Sequence, residues 1–210
     1  MDSIRKLLAP FLPEGELNDA LISQVSVFLE LLLRWNKKTN LTSIRTPEEI
    51  ISRHFGEGFF LASQLFATRH ADTAIDFGSG AGFPGIPLAM YSPNTAVTLI
   101  ESQNKKASFL KEAVRTLDLK NVSVFAARGE TFNDTADVVT FRAVEKFEQS
   151  APAAARLIAS DGRMALLATH PQARIATQIL PGLAWHAPIR VPNSRESILL
   201  IGSRTEAKRT

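Results

Sequence analysis

The hydrophobic positions of the first 70 residues recur with the period of an α-helix. Six large apolar side chains are spaced 4, 4, 3, 4 and 3 residues apart, which places them in one stripe along an amphipathic helix. They are Leu17, Leu21, Val25, Phe28, Leu32 and Trp35. A second helix is predicted to begin at Thr46, because Thr46 can cap it, Pro47 suits its first position and Glu49 completes a capping box.

After residue 72, short apolar runs alternate with helical patterns. Strands are predicted at Thr73–Phe77, Ala96–Glu101, Val122–Ala126, Ala136–Phe141 and Arg163–Thr169. Helices are predicted at 84–91, 103–118, 146–159 and Pro171–Leu180. Two further strands, Trp185–Val191 and Glu196–Ile201, are separated by only four residues, so they should pair antiparallel.

This alternation is typical of right-handed βαβ units on a parallel sheet. We therefore predict an α/β fold in two parts. Residues 71–210 should form a mostly parallel seven-stranded sheet that ends in an antiparallel hairpin. Residues 1–70 should form a helical extension packed on that domain.

Composition excludes several kinds of site. The 210 residues include no cysteine, so disulfides, thiolate metal sites and cysteine nucleophiles are excluded. The four histidines lack metal-ligand spacing, and we predict no metal site and read all four as structural or surface residues. The chain has no apolar run of ~18–20 residues and no signal-peptide pattern at its start, so we expect a cytoplasmic protein without a membrane partner.

Basic residues are unevenly distributed around a net charge of +3 (24 basic minus 21 acidic). Residues 31–46 carry four basic side chains and no acid, and residues 190–210 carry five basic side chains against two acids. Such patches suit a polyanionic partner, although ordinary solvated surface shows the same pattern.

The most informative motif is a glycine-rich turn between the first strand of the sheet and the next helix. Gly78, Gly80 and Gly82 follow Asp76 at every second position. Glycine permits a tight turn with positive φ and lets a ligand approach main-chain N–H groups. The turn lacks the lysine of a P-loop, and a dinucleotide fingerprint would need its third glycine at Phe83.

An acid just before Gly-x-Gly-x-Gly is instead the pattern of strands that bind S-adenosylmethionine. The Asp76 carboxylate would anchor either the turn or the cationic end of the ligand. Glu101 ends the second strand, where a carboxylate can accept both hydroxyls of a ribose. Glu101 does not choose between nicotinamide and S-adenosylmethionine, but the closing antiparallel pair favours S-adenosylmethionine.

Several segments, taken in chain order, resemble one known family. They are Trp35–Thr42, Asp76–Pro87, Glu101–Leu110, Arg128–Glu130, Phe141–Ala143 and Arg195–Ile201. The family is that of the bacterial small-subunit rRNA guanine-N7 methyltransferases, also called the glucose-inhibited division protein B family. The chain departs from it at Glu57-Gly58, where the family usually shows an Asp-Ser pair.

The resemblance implies a Rossmann-like class I methyltransferase. It implies methyl transfer from S-adenosylmethionine to N7 of guanine 527 of 16S rRNA, with the small ribosomal subunit as partner, and we expect a monomer. Three alternatives stay open: a methyltransferase for another RNA base, a non-catalytic module that senses S-adenosylmethionine, and a nicotinamide-dependent reductase.

The resemblance also implies roles for single positions. Gly78 and Phe83 correspond to contacts with the methionine and ribose part of the cofactor, and Gly129 and Glu130 to contacts at its adenine side. Arg142 corresponds to a residue beside the transferred methyl group, and we expect it both to catalyse and to touch the cofactor.

Other positions are expected to order the active site or hold RNA. Asn40, Arg128 and Arg195 match positions associated with activity; we assign Asn40 to the catalytic set and the two arginines to RNA. Four lysines are candidates to hold phosphates: Lys37, Lys38, Lys105 and Lys106.

Overall fold

A mixed β-sheet forms the centre of the protein in the computed structural model, which describes residues 1–67, 69–142 and 147–204. Its strands are β1 (Thr73–Phe77), β2 (Ala96–Ile100), β3 (Val122–Phe125), β4 (Ala136–Arg142), β5 (Ile158–Thr169), β6 (Leu183–Trp185), β7 (Ile189–Arg190) and β8 (Ser197–Arg204). The strand order is β3-β2-β1-β4-β5-β8-β6, with β7 paired to β8. Strands β1 to β5 are parallel, and β8 runs antiparallel to β5, β6 and β7.

The helices confirm the predicted alternation. They are α1 (Asp2–Leu8), α2 (Asp19–Thr39), α3 (Pro47–Glu49), α4 (Glu57–Phe66), α5 (Gly85–Tyr91), α6 (Asn104–Thr116), α7 (Phe147–Arg156) and α8 (His170–Ile179). A π-helical turn, Ile50–Gly56, joins α3 to α4 without a break. Thr46 caps this helix as predicted, since its hydroxyl accepts from the Glu49 N–H at 3.4 Å; the Glu49 carboxylate accepts from the Thr46 hydroxyl at 2.9 Å and not from the Thr46 N–H, so the predicted capping box is incomplete.

The two faces of the sheet are buried by different helices. Successive β1 residues point to opposite faces, so Ala74 joins one apolar cluster and Ile75 the other. Helices α2, α4, α5 and α6 supply the first cluster, and α7 and α8 supply the second. Apolar residues of 1–70 are continuous with the first cluster; Phe28 of α2, for example, stacks on Phe109 of α6 at 5.9 Å. The division of the chain at residue 70 stays a prediction.

The sequence prediction needs correction at the end of the sheet. One predicted strand, Trp185–Val191, is two strands, β6 and β7, so the described residues form eight strands and not seven. Pro188 lies in the gap between them, and proline has no N–H to give to the ladder. The antiparallel pairing of these strands with β8 is confirmed.

A second correction concerns residues 156–163. Helix α7 ends at Arg156 and β5 begins at Ile158, five residues before the predicted start of the strand. The pairing of β4 with β5 shifts register between Ala136 and Val138, so β5 is irregular there. The first half of β5 therefore lacks the regular alternation by which a strand is predicted from sequence. The predicted start of α7, residue 146, lies outside the described residues.

The strand order fixes where a ligand can bind. The chain builds β1, β2 and β3 outward in one direction and then returns to place β4 on the other side of β1. At such a switch point, a crevice opens at the carboxyl ends of the two diverging strands. Here those ends lead to Gly78 after β1 and to Arg142 at the end of β4. No helix among the described residues is long and apolar enough to span a membrane.

Candidate active site

A cavity of about 520 Å³ lies at the carboxyl ends of β1 and β4. The glycine turn, the segment after α2, the π-helical turn and β4 all contribute to its lining. The lining residues are Leu41, Thr42, Ser43, Ile44, Arg53, His54, Gly78, Ser79, Ala81, Phe83 and Arg142. A larger cavity, about 670 Å³, includes Asp118–Asn121 before β3 and contains none of the predicted site residues.

The three glycines of the turn all have the predicted positive φ, at +73°, +56° and +87° for Gly78, Gly80 and Gly82. A side chain on Gly82 would lie 2.6 Å from Ile86, so this glycine permits α5 to pack closely. A side chain on Gly80 would meet nothing nearer than the Gly78 carbonyl oxygen at 3.9 Å. The backbone at Gly80 is therefore open to a ligand.

Asp76 anchors the turn. Its carboxylate is buried and accepts hydrogen bonds from the Thr140 hydroxyl of β4 at 2.7 Å and the Gly85 N–H of α5 at 3.0 Å. Burial raises the pKa of Asp76 to about 6, although these hydrogen bonds and the charge of Arg142 act in the opposite direction. Of the two roles that the sequence left open, this geometry fits the anchor of the turn.

Glu101 ties the end of β2 to the same turn. Its carboxylate is buried and accepts from the Gly80 N–H at 3.0 Å and from the Gln103 N–H at 2.7 Å. The carboxylate thus lies beside the open backbone of Gly80, as a ribose ligand requires.

The two residues predicted to contact the adenine side, Gly129 and Glu130, lie in the turn after β3. Gly129 is buried, and a side chain there would overlap the ring of Phe77. Glu130 is exposed, and one of its carboxylate oxygens lies 3.6 Å from Nε of Arg128. These residues do not line the 520 Å³ cavity.

Arg142 is held by a buried ion pair that sequence reasoning missed. Its Nη2 lies 2.7 Å from Oε2 of Glu57 and donates to the Arg53 carbonyl at 2.8 Å. The other carboxylate oxygen of Glu57 accepts from the Ser197 hydroxyl at 3.2 Å. Burial lowers the pKa of the Arg142 guanidinium, and the charge of Glu57 opposes that shift.

Nη1 of Arg142 is buried and has no hydrogen-bond partner among the described residues. An unpaired buried donor costs free energy unless a ligand satisfies it, so this atom points to a bound acceptor. The sequence signal for the ion pair was Glu57 itself, the acid that remains where the chain departs from the family pattern.

His54 is a second cavity residue that had no assigned role. Its ring stacks on Phe83 with centroids 4.7 Å apart, and Nε2 lies 2.8 Å from the Thr42 hydroxyl. Burial, followed by the charges of Arg142 and Arg53, lowers the pKa of His54 to about 3. The imidazole is therefore neutral at pH 7. Phe83 lines the cavity and also stacks on Phe28 at 5.3 Å.

The segment after α2 is held by a buried amide. The Asn36 side chain donates to the Thr42 carbonyl at 3.1 Å and accepts from the Thr42 N–H at 3.0 Å. Asn40 ends α2 with φ +45°, and its exposed side chain accepts from Arg45 at 3.1 Å. Asn40 thus precedes the cavity wall of Leu41–Ile44 without lining the cavity itself.

The six predicted RNA contacts are surface residues outside this cavity. Lys37 and Lys38 are exposed at the carboxyl end of α2, Lys105 and the half-buried Lys106 lie in the first turn of α6, and Arg128 and Arg195 are exposed in loops. Among the described residues, no group of three or more His, Asp or Glu side chains could hold a metal ion.

Because the Glu57–Arg142 pair is buried, removing its acid should destabilise the protein more than removing the acid of an exposed pair. Glu57→Ala leaves the buried Arg142 charge without its partner and should lower the free energy of unfolding by about 3 kcal/mol. Asp19→Ala breaks an ion pair with Arg5 whose Asp19 side chain is 90% exposed, and should cost less than about 1 kcal/mol. Urea unfolding at pH 7 measures both. Equal losses in the two variants would contradict the buried pair.

The raised pKa of Asp76 predicts a pH dependence of stability. Because the pKa of Asp76 in the folded protein, about 6, lies above the ordinary value of 3.8, its contribution to stability is fully present below pH 3.8 and is lost as the pH rises through 6. Relative to Asp76→Asn, which cannot ionise, the unaltered protein should lose about 2 kcal/mol between pH 4 and pH 7. Urea unfolding at intervals across this range tests it. If the difference in the free energy of unfolding between the two proteins does not change with pH, burial does not raise the pKa of Asp76.

Comparisons with known proteins identify the family of this chain. Residues 21–178 match the family model described as rRNA small subunit methyltransferase G. The protein named Ribosomal RNA small subunit methyltransferase G from Xylella fastidiosa (strain M23) is 39% identical over 164 residues, which are 77% of this chain and 76% of that protein.

Solved structures show the same fold at low identity. A SAM dependent methyltransferase from Aquifex aeolicus superimposes with a TM-score of 0.62 at 16% identity, covering 80% of this chain and 98% of that one. The M. jannaschii protein TYW2, solved in complex with AdoMet, gives a TM-score of 0.55 at 18% identity over 73% of this chain and 75% of its own. The predicted Rossmann-like class I methyltransferase fold is confirmed, and the nicotinamide-dependent reductase is excluded. The match over more than half of its length shows that this chain belongs to the rRNA small subunit methyltransferase G family.

Proposed function

We propose that this protein transfers a methyl group from S-adenosylmethionine to N7 of guanine 527 of 16S rRNA in the small ribosomal subunit. One observation carries the proposal: the glycine turn, through Gly78, lines the same cavity between β1 and β4 as Arg142, whose Nη1 has no hydrogen-bond partner among the described residues. Membership of the rRNA methyltransferase family supports both the cofactor and the RNA substrate.

The residues present fit S-adenosylmethionine. Gly78 lines the cavity, no side chain crowds the backbone at Gly80, and the Glu101 carboxylate beside Gly80 can accept ribose hydroxyls. Gly129 and Glu130, in the turn after β3, are assigned to the adenine side. When bound, the sulfonium supplies an activated methyl group.

Guanine N7 carries a lone pair and no proton at neutral pH, so its methylation needs no general base. His54, held by Phe83 and Thr42, has a pKa lowered to about 3 and is therefore a weak base, which is consistent with a site that does not abstract a proton. The task of the protein is to align the acceptor nitrogen with the methyl donor, and alignment alone can supply several kcal/mol of the barrier.

Arg142 can perform that alignment. Glu57 and the Arg53 carbonyl engage Nη2 and fix the plane of the guanidinium, which leaves Nη1 as a fixed donor. Guanine presents O6 and N7 as neighbouring acceptors, so a hydrogen bond to O6 would hold the ring while N7 stays free. A cation cannot stabilise the positive charge that forms on the base, so we assign Arg142 to orientation.

The surface around the cavity can hold the RNA while the base leaves its stack. Lys37, Lys38, Lys105, Lys106 and Arg128 are proposed to contact phosphates, and Asn40 to order the segment that reaches the base. We further propose that the protein acts as a monomer, without a metal ion, in the cytoplasm where its ribosomal substrate is found.

Blocking the open backbone at Gly80 should abolish cofactor binding. Gly80→Val places a branched side chain where the ligand passes, and calorimetry should detect no S-adenosylmethionine binding while the circular dichroism spectrum is preserved. Gly15→Val is the matched control, because Gly15 also has positive φ (+88°) and open space around it. It carries comparable backbone strain and should bind the cofactor normally. Normal binding by Gly80→Val would mean that the cofactor site is misplaced.

Removing the free donor of Arg142 should slow methyl transfer without releasing the cofactor. Arg142→Lys keeps a cation beside Glu57 but lacks the planar fork, and Arg142→Ala removes both. Each should lower the single-turnover rate on unmethylated small subunits at saturating cofactor by about a hundredfold, equivalent to about 2.7 kcal/mol.

Cofactor affinity, measured separately, should change much less. A variant that loses cofactor affinity alone would make Arg142 a cofactor ligand and not an orienting residue. Cofactor binding by the unaltered protein without any methyl transfer would favour the S-adenosylmethionine-sensing module.

A further inference from the structure

A second cavity, about 330 Å³, lies beside the proposed active site and is lined by two arginines. It is formed by the π-helical turn, which carries Arg53, and by the loop 192–196 before β8, which carries Arg195. Both side chains are on the surface, and neither makes an ion pair or a side-chain hydrogen bond with a described residue. Arg53 also lines the active-site cavity, so the two cavities share a wall.

The loop presents Arg195 from a fixed turn. The Val191 N–H donates to the Ser197 carbonyl at 3.2 Å, and the Ser194 hydroxyl accepts from the Ser197 N–H at 2.9 Å. Asn193 has φ +57°, a left-handed conformation that asparagine adopts readily in turns. Arg195 is therefore held over the cavity by the backbone of its own turn.

The charges lining the second cavity suit an anion. The Glu57 charge is already balanced by Arg142, and its second oxygen is engaged by Ser197. The described lining residues therefore carry two unpaired positive charges, on Arg53 and Arg195, and one unpaired negative charge, on Glu196. Guanidinium groups bind phosphate oxygens through paired hydrogen bonds, which favours a phosphate over a compact cation or an apolar group.

We infer that this cavity is the subsite for a backbone phosphate of the RNA next to the target nucleotide, held by Arg53 and Arg195 together. The inference rests on the proposed function, in which the target base enters the neighbouring cavity. A base displaced into that cavity remains joined to its flanking phosphate, which must lie close to the shared wall. The same wall orients Arg142, through the Arg53 carbonyl and through the Ser197–Glu57 contact.

Salt dependence of substrate affinity tests the subsite. Single-turnover methylation of unmethylated small subunits is measured at saturating S-adenosylmethionine over a range of subunit and KCl concentrations. Arg53→Ala and Arg195→Ala should each reduce the slope of log affinity against log salt by about 0.7 to 1. The affinity for S-adenosylmethionine should stay near that of the unaltered protein. The double variant should lose less affinity than the sum of the single losses, because both arginines act on one phosphate.

Two variants complete the test. Arg174→Ala removes an exposed arginine of α8, outside both cavities, and should leave the slope unchanged. Glu196→Gln removes the unpaired acid of the second cavity and should strengthen subunit binding.

Unchanged slopes for Arg53→Ala and Arg195→Ala would overturn the subsite, and fully additive losses would overturn a single shared phosphate. Loss of cofactor affinity by Arg53→Ala with an unchanged slope would instead place Arg53 in the cofactor site. If the unaltered protein does not methylate small subunits, the proposed function fails. In that case the salt dependence of direct binding between the same variants and small subunits still tests the phosphate subsite.

Discussion

The buried carboxylate of Asp76 is the contact on which the arrangement of this site depends. One oxygen binds Thr140 of β4 and the other binds the first N–H of α5, so a single side chain joins β1, β4 and the helix that follows the glycine turn. The crevice of a doubly wound sheet opens between these two strands. Asp76 therefore fixes both the width of the crevice and the path of the turn that borders it. The cost of burying this carboxyl is visible in its raised pKa.

The amino-terminal helices complete the site that the sheet begins. Phe28 of α2 packs against both Phe83 of the glycine turn and Phe109 of α6, so α2 belongs to the same core as the βαβ units. Because α2 is packed in this way, the segment Leu41–Ile44 that follows it lies at the cavity. The Asn36 side chain holds the segment there through two hydrogen bonds to the Thr42 backbone. The π-helical turn adds His54 and Arg53. A βαβ domain without residues 1–70 would lack these cavity walls.

Local pattern predicted most of the fold because strands, helices and the glycine turn leave short-range signals. The period-2 and period-3.6 patterns located β1 to β4 and α5, α6 and α8 within a few residues, and the alternating glycines indicated the positive φ values that the structure shows. The split near Pro188 and the early start of β5 were missed. In both places an irregular ladder, and not a turn motif, decides the strand bounds.

The Glu57–Arg142 pair could not be read from local pattern, because its members are brought together by the topology. Glu57 contacts Ser197 across 140 positions of sequence, and nothing near residue 57 predicts that neighbour. The stacking of His54 on Phe83 is likewise a tertiary contact, so an isolated histidine gave no sign of a place at the cavity. The family resemblance indicated Arg142 as a site residue, whereas only the structure shows which contacts orient its side chain.

The charges of the site are matched to the proposed reaction. Methyl transfer from a sulfonium to guanine N7 moves one positive charge from sulfur to the base and leaves the total charge of the cavity unchanged. A poorly hydrated site can therefore host the step if its own charges are already balanced, since charges separated from water are expensive unless paired. Glu57 balances Arg142, His54 is neutral at pH 7, and Arg53, which also lines the cavity, is exposed to solvent. This arrangement leaves Nη1 of Arg142 as a fixed hydrogen-bond donor in the cavity, so the residues that surround the reaction serve to position it.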